Sequence, residues 1–430
     1  MPEYFYYILF SVTFLMIALS WIKSENLFNP VSIFNMWWGF FIFVATLDLG
    51  GLRMPSLKAL MLLILSQAMF SLGGLTFLSP KKIMLDRNDS KVLKNPPLAL
   101  RIFLPLQLLL TFFLLIYLVK AIGMLRSMDP GSFRALVFDN SGVMGENRKY
   151  FFYIILPSLY VSAFTSITGV LLYRVKLRYL ILSLSNLILY SMVTIGRAPI
   201  FIAIMGFSFG LIYVYQLKKI KIKFRYILLV SIPVVYLISM SVYRKAYMSG
   251  SKTVFTMLSE YIVWYFTGAF TAFDYFLDFC KEGVAREYSY GRAMIAGIED
   301  YLYPLLKRIF PGYIPVNEYI HDFTKIFRSL GGAATHHNSH YTMVMEFMWD
   351  AGYYGVVILP YIFGAIIAKV YNSFRTKHSI ATFASLILLT YLSLMGIMRW
   401  ELRYIWSWGT LAGIFFLAHR FVLRKTPAVQ

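Results

Sequence analysis

Apolar residues in this chain come in long runs, not in alternating or one-sided stripes. Residues 151–173, 226–243 and 381–397 each continue for most of a bilayer width without a charged side chain. About 20 such residues are needed to cross ~30 Å of hydrocarbon, and a spanning backbone must satisfy its own hydrogen bonds as helix. The runs predict an all-α fold with eleven spanning helices, near 5–22, 31–48, 57–78, 102–119, 151–173, 179–195, 199–216, 226–243, 352–369, 379–398 and 404–421. They divide the chain into about eight N-terminal helices over 1–243, a large loop over 244–351, and about three C-terminal helices over 352–430. Against this background polar residues are unevenly spread. Four of the six histidines and about half the carboxylates fall between Arg244 and Asp350.

Composition agrees: 59% of 430 residues are hydrophobic and only 14% charged, which leaves no room for a large separate soluble domain. The N-terminus lacks a basic leader, and its first apolar run is followed by Trp21-Ile22-Lys23, so it reads as a retained span. A lone cysteine, Cys280, excludes an internal disulfide.

The net charge of +21 would suit a nucleic-acid binder, so its location decides. With the N-terminus outside, the inside connections and the C-terminal tail hold 21 of the 41 Lys and Arg against only Glu25, Asp86 and Asp89. The remainder of the chain is nearly balanced. That is the positive-inside bias that orients helices at insertion, and no basic soluble face is left for nucleic acid. The run Lys218–Lys223 is accordingly a topology anchor, with attraction to anionic headgroups as a secondary role.

Two outside connections are long. The first, Lys120–Lys149, carries Asp129-Pro130-Gly131 and Asn140-Ser141-Gly142, which break a continuous helix. The second, Arg244–Tyr341, begins with an aromatic stretch at Thr253–Phe279. Glu260, Asp274 and Asp278 interrupt it, and we read a helix lying at the interface or re-entering the membrane. Pro304, Pro311-Gly312, Pro315 and Gly331-Gly332 then predict short helices joined by turns. No internal repeat and no matched pair of broken helices is present, which weighs against a transporter.

Several constellations carry candidate chemistry. Arg197 sits in a very short outside turn between two apolar runs. Its planar fork suits a diphosphate, although a snorkelling turn residue would look the same. The cluster His336-His337-Asn338-Ser339-His340-Tyr341 has three readings. His336 and His340 would share a helix face and could hold a metal. The histidines could bond loop carbonyls. Or one of them, His337 first, could take a proton from a sugar hydroxyl. Glu346 and Asp350 lie one helical turn apart at the mouth of a span, where carboxylates are costly. They are alternative bases, or partners of Arg399 or Arg403 on the last outside connection. Arg244 and Arg292 are weaker candidates for an anionic ligand.

This layout, with Asn338-Ser339-His340-Tyr341-Thr342 followed by Phe347-Met348-Trp349-Asp350-Ala351-Gly352, resembles the bacterial oligosaccharide repeat-unit polymerases, the Wzy family. Gly196-Arg197-Ala198 is similar to the family's short arginine turn, and Tyr265–Phe270 to its mid-chain aromatic pattern. Arg134…Gly145 and Arg286…Gly297 match its arginine–glycine spacing. The resemblance implies a GT-C-like enzyme of the inner membrane, with its large loop and active site facing the periplasm. It implies transfer of a glycan from undecaprenyl diphosphate to the terminal hydroxyl of a second lipid-linked repeat unit. His336, His337, His340, Glu346 and Asp350 are then the candidate catalytic groups. Arg197, Arg244, Arg292, Asn338, Tyr341, Arg399 and Arg403 are the candidate substrate contacts. No cofactor and no metal is implied, and the expected partners are the lipid-linked glycans, the bilayer, a chain-length regulator and a flippase. An O-antigen ligase, accepting onto lipid A–core, and a polysaccharide transporter are the alternatives.

Overall fold

In the computed structural model the regular structure among the described residues is helical apart from one antiparallel pair of two-residue strands. The structure describes residues 1–47, 49–80, 98–137, 142–173, 175–218, 231, 234–236, 238–239, 254–281, 289–325, 328–331, 336–337, 341–377 and 379–422. The first helices are α1 (Glu3–Ser24), α2 (Pro30–Val44), α3 (Leu57–Phe77), α4 (Leu98–Leu125) and α5 (Pro130–Leu136). Next come α6 (Leu156–Tyr173), α7 (Arg178–Thr194), α8 (Ala198–Lys218) and α9 (Val254–Lys281). The last are α10 (Ala296–Ile309), α11 (Val316–Thr324), α12 (Met343–Lys377), α13 (Ile380–Met395) and α14 (Ile405–Val422). Six described helical stretches are long and apolar enough to cross a membrane: Glu3–Ser24, Leu57–Phe77, Leu104–Leu125, Gly145–Leu172, Ala198–Tyr215 and Met343–Thr376. Four shorter apolar helices, Pro30–Val44, Arg178–Thr194, Ile380–Met395 and Ile405–Phe416, fall on four more of the expected runs. The run at 226–243 lies mostly outside the described residues, as do Asn140, Ser141 and the basic run beyond Lys218.

The chain forms two compact units that cut across its linear order. The first joins Met1–Lys82 to Phe255–Arg375 and Leu389–Ser407, and the second holds Ile83–Val254, Thr376–Leu388 and Trp408–Gln430.

In the first unit α2 begins where Asn29 accepts hydrogen bonds from the Val31 and Ser32 amides, both at 3.0 Å, with Pro30 supplying the fixed φ of a first helical residue. α3 and α12 pack backbone to backbone. A Cβ on Gly73 would lie 1.9 Å from the Tyr361 carbonyl oxygen, and one on Gly364 would lie 2.0 Å from that of Phe70. Such close approach is how helices pair when lipid offers no hydrophobic drive. α9 is one uninterrupted helix of 28 residues. From Phe266 to Leu277 it is mostly buried, with the Phe266 ring 4.5 Å from Phe41 and 5.4 Å from Trp37. Asp274 explains one interruption in its apolar pattern: its carboxylate accepts from the Ser56 amide at 2.8 Å and from the Ser56 hydroxyl, placing an anion at the N-terminus of α3.

The second unit is knitted by neutral polar groups. Gln107 on α4 donates to Ser183 (2.6 Å) and Ser162 (2.9 Å), and Asn186 bonds the Gln107 carbonyl and the Thr111 hydroxyl. Asp129 and Pro130 end one helix and start the next as expected: the Ser132 and Phe133 amides donate to the Asp129 side chain and carbonyl.

Candidate functional site

The site is built where α12 begins and where the chain turns between α13 and α14. Val344 donates to the Thr342 hydroxyl at 3.2 Å, capping α12 at Met343, nine residues before the expected start of the span. Residues 341–350 are all buried. The helix then breaks at Ala351 and Gly352, the latter at φ 58°, ψ −140°, a conformation essentially reserved for glycine. The break frees two carbonyls, and the Trp349 and Asp350 oxygens accept from the Ser289 and Tyr290 amides, both at 3.0 Å. Trp400 ties the second turn to this framework. Its ring packs against Phe347 and Phe363, and its indole donates to the Met294 carbonyl at 2.8 Å.

On this framework sits an ionic cluster. Arg403 donates from Nη1 to Glu346 Oε1 at 3.1 Å, with both side chains buried. Arg399 pairs through Nε with Glu401 Oε1 at 2.8 Å, and both guanidinia lie over the Tyr404 ring at 4.7 and 5.0 Å. The pairing anticipated for Glu346 with the last outside connection is therefore present, and Arg403 makes it. Burial alone would pull both arginines down. Glu401 and Tyr404 for Arg399, and Tyr404 and Glu346 for Arg403, outweigh it and raise both. These are permanent cations. The second carboxylate oxygens of Glu346 and Glu401, and Nε of Arg403, are buried without a hydrogen-bond partner among the described residues.

The loop helices extend the cluster. Asn317 donates to the Arg403 carbonyl at 2.8 Å and to Asp300 at 2.7 Å, joining α11 and α10 to the turn. Burial pushes the Asp300 carboxyl up to about 6, against the pull of Asn317. Arg292 pairs with Glu299 at 2.5 Å and donates to Tyr313 and the Ile314 carbonyl. Burial pulls Arg292 down, but the Glu299 hydrogen bond and charge more than offset that. Sequence reasoning missed Asp300. Its one signal was its place beside Glu299 at the start of a helix whose only other charges are Lys307 and Arg308, which does not tell the two carboxylates apart.

Asp350 has a different environment. It accepts from the Ser289 hydroxyl, from the Ala293 and Met294 amides, both at 2.8 Å, and from the Gly291 backbone. It holds the 289–294 turn in place and pairs with neither Arg399 nor Arg403.

The histidine cluster departs from the helical expectation. His336 and His337 form a strand paired with Arg328 and Ser329, so the shared helix face that suggested metal ligation is not formed. The strand covers only His336–His337, and 338–340 lie outside the described residues. His340, Asn338 and Arg244 lie outside the described residues, as does Arg286. Tyr341 is buried, its ring 5.4 Å from Phe323. Arg134 sits exposed on α5. Arg197 occupies the expected short turn in the second unit, after Ile195 in the left-handed region at φ 49°. That conformation is strained for a β-branched residue and marks a turn held by its surroundings. There the Ser191 hydroxyl donates to the Gly196 carbonyl, and the Gly196 amide returns to the Ser191 carbonyl at 3.1 Å.

Comparison of the chain with protein-family models, curated proteins and solved structures found no match.

Proposed function

We propose that this chain is an inner-membrane glycosyltransferase that polymerises oligosaccharide repeat units carried on undecaprenyl diphosphate, working on the periplasmic side with eleven spans around it. The observation that carries the reading is the Arg403–Glu346 and Arg399–Glu401 cluster, where a buried Arg403 and a part-buried Arg399 sit at the end of apolar helices and Nε of Arg403 has no acceptor among the described residues. A leaving diphosphate needs that kind of site: fixed guanidinia in a water-poor setting, aimed where charge develops. In the transfer, the terminal hydroxyl of one lipid-linked unit bonds to the anomeric carbon of the growing glycan. The bond from that carbon to the diphosphate oxygen breaks, and undecaprenyl diphosphate leaves with the electron pair. A base takes the hydroxyl proton. His337, with His336 and His340 as alternatives, is proposed for that role, and Asp300 joins the list because its carboxyl is held near neutrality. Arg197, in the second unit, is proposed separately as a group that binds a phosphate. The lipid carrier supplies activation, so no cofactor is invoked.

The test is reconstitution of the purified full chain in liposomes with undecaprenyl-diphosphate-linked repeat units. A ladder of longer lipid-linked glycans, with free undecaprenyl diphosphate released, is the expected product. Single-unit transfer seen only after adding lipid A–core would identify a ligase instead. No product under either condition would remove the glycosyltransferase reading.

A further inference from the structure

Exposed large apolar side chains on this protein fall mostly on helices long enough to face lipid along their length. α10 and the turn after it are an exception. The first turn of α10 is buried through Ala296, Gly297 and Glu299, and its later turns project from the first unit. There Leu302, Leu305, Ile309 and Phe310 are 48%, 56%, 58% and 58% exposed, followed by Ile314 at 44%. At 100° per residue Leu302, Leu305 and Ile309 form one stripe, with Leu306 and Phe310 along its edge. Charge on the helix is sorted. Glu299 is buried against Arg292 and Asp300 is half-buried toward Asn317, whereas Lys307 and Arg308 stand exposed, Arg308 about 60° from Leu305 at the flank of the stripe and Lys307 on its far side. The projecting half thus carries an apolar stripe with one base at its flank and one on its far side, and both of its acids are turned into the protein. Among the described residues nothing covers it.

We propose that α10 and the turn through Ile314 form a docking surface for anionic phospholipid, lying in the headgroup layer with the Leu302–Leu305–Ile309 stripe toward the acyl chains. Charge complementarity selects this occupant: an apolar stripe backed by bases matches a negatively charged interface, and a water-facing helix would not spend its largest apolar side chains outward. Lys307, stacked 5.7 Å from the Tyr303 ring, and Arg308 reach from the stripe toward phosphate oxygens. Through Asn317 and Arg292 the same helix carries the ionic cluster, so docking fixes the height of that cluster at the membrane surface. The surface depends on the membrane reading of the apolar helices and is independent of the transfer chemistry.

The test uses the full-length protein with Cys280→Ser and a single new cysteine, Leu305→Cys or Ile309→Cys, carrying an environment-sensitive fluorophore. Asp322→Cys on the polar face of α11 is the control. In vesicles containing phosphatidylglycerol the α10 probes should shift to blue emission and be quenched by shallow spin-labelled lipid, while the control stays in water. Lys307→Gln and Arg308→Gln should each lower the docked-to-undocked ratio about fivefold, as loss of one surface charge implies. Water-like, unquenched emission at both α10 positions would overturn the proposal. So would blue emission that lipid does not quench, which means a protein covers the face, or quenching indifferent to anionic lipid and to the two bases.

Discussion

Glu346 and Asp350 lie one turn apart on the same buried stretch of α12, and the structure treats them oppositely. Asp350 spends its carboxylate on a hydroxyl and several backbone amides of the 289–294 turn. Glu346 spends one oxygen on Arg403 and keeps the other without a partner among the described residues. Burying a carboxylate is costly unless its hydrogen bonds are made. A saturated one is therefore part of the framework, whereas the unused Glu346 oxygen can still accept from a donor such as a sugar hydroxyl, and Nε of Arg403 is the group that can meet a phosphate oxygen. Under the proposed function, Asp350 shapes the site and Glu346 belongs to it.

The largest effect expected from this contrast is on folding. Asp350→Ala strands the amides of Ala293 and Met294 and the Ser289 hydroxyl, at about 1–3 kcal/mol each. It should remove most folded protein from detergent extracts, with thermal unfolding as the readout. Asp350→Asn, which keeps an acceptor, should lose less. If either variant yields stable protein that is specifically inactive, the contrast is wrong. Arg403→Lys should do the reverse. It keeps the charge beside Glu346 but loses the fork, and glycan turnover should fall roughly ten- to hundredfold, about 1.5–3 kcal/mol, with little change in thermal midpoint. Arg197→Lys should behave the same way in the polymerisation assay. Gly352→Ala probes the break that separates the two carboxylates from the rest of the span. Forcing a Cβ into that conformation should cost about 1–3 kcal/mol of stability.

The smallest effect is a pH dependence. Asp300 is raised by burial from its ordinary value to about 6, so the folded protein binds this proton more tightly than the unfolded chain. Its contribution to stability is complete at acid pH and is lost as pH rises from about 4 through about 6. Asp300→Asn, which keeps an acceptor for Asn317, should flatten the thermal midpoint across that window and raise it relative to the parent at neutral pH. An unchanged slope would mean that Asp300 is solvated like an ordinary surface carboxylate.

Much of the scaffold was legible because long apolar runs admit few structures: α1, α3, α6, α7 and α8 fall on expected runs, and the Arg197 turn is as short as its sequence suggests. The Glu346 partnership was legible for a similar reason, since a buried carboxylate at a helix mouth needs a cation and the last outside connection offers two. What escaped the reading depends on contacts distant in sequence. Nothing near Asp350 announces that Ser289 to Met294 will fold over it, and a glycine at 352 reads equally as a helix start or as a break inside a longer helix. For the histidines, only the metal alternative leaned on periodicity. His336 and His340 have helical spacing, but pairing with Arg328 and Ser329 makes 336–337 a strand. α9 was ambiguous for a third reason: Asp274 looks like an interruption until its partner Ser56 is known.

If the Arg403–Glu346 cluster takes up a lipid diphosphate, as proposed, binding of that ligand must stabilise the fold. The thermal midpoint of the purified chain should be followed while undecaprenyl diphosphate is titrated into the parent, Arg403→Lys and Asp300→Asn. Saturation to about 100 times the dissociation constant would stabilise a specific complex by about 2.7 kcal/mol. A saturable rise is expected in the parent and in Asp300→Asn, and a rise lost or shifted at least tenfold in concentration in Arg403→Lys. The same titration curve in all three proteins would place the diphosphate elsewhere and contradict the proposal.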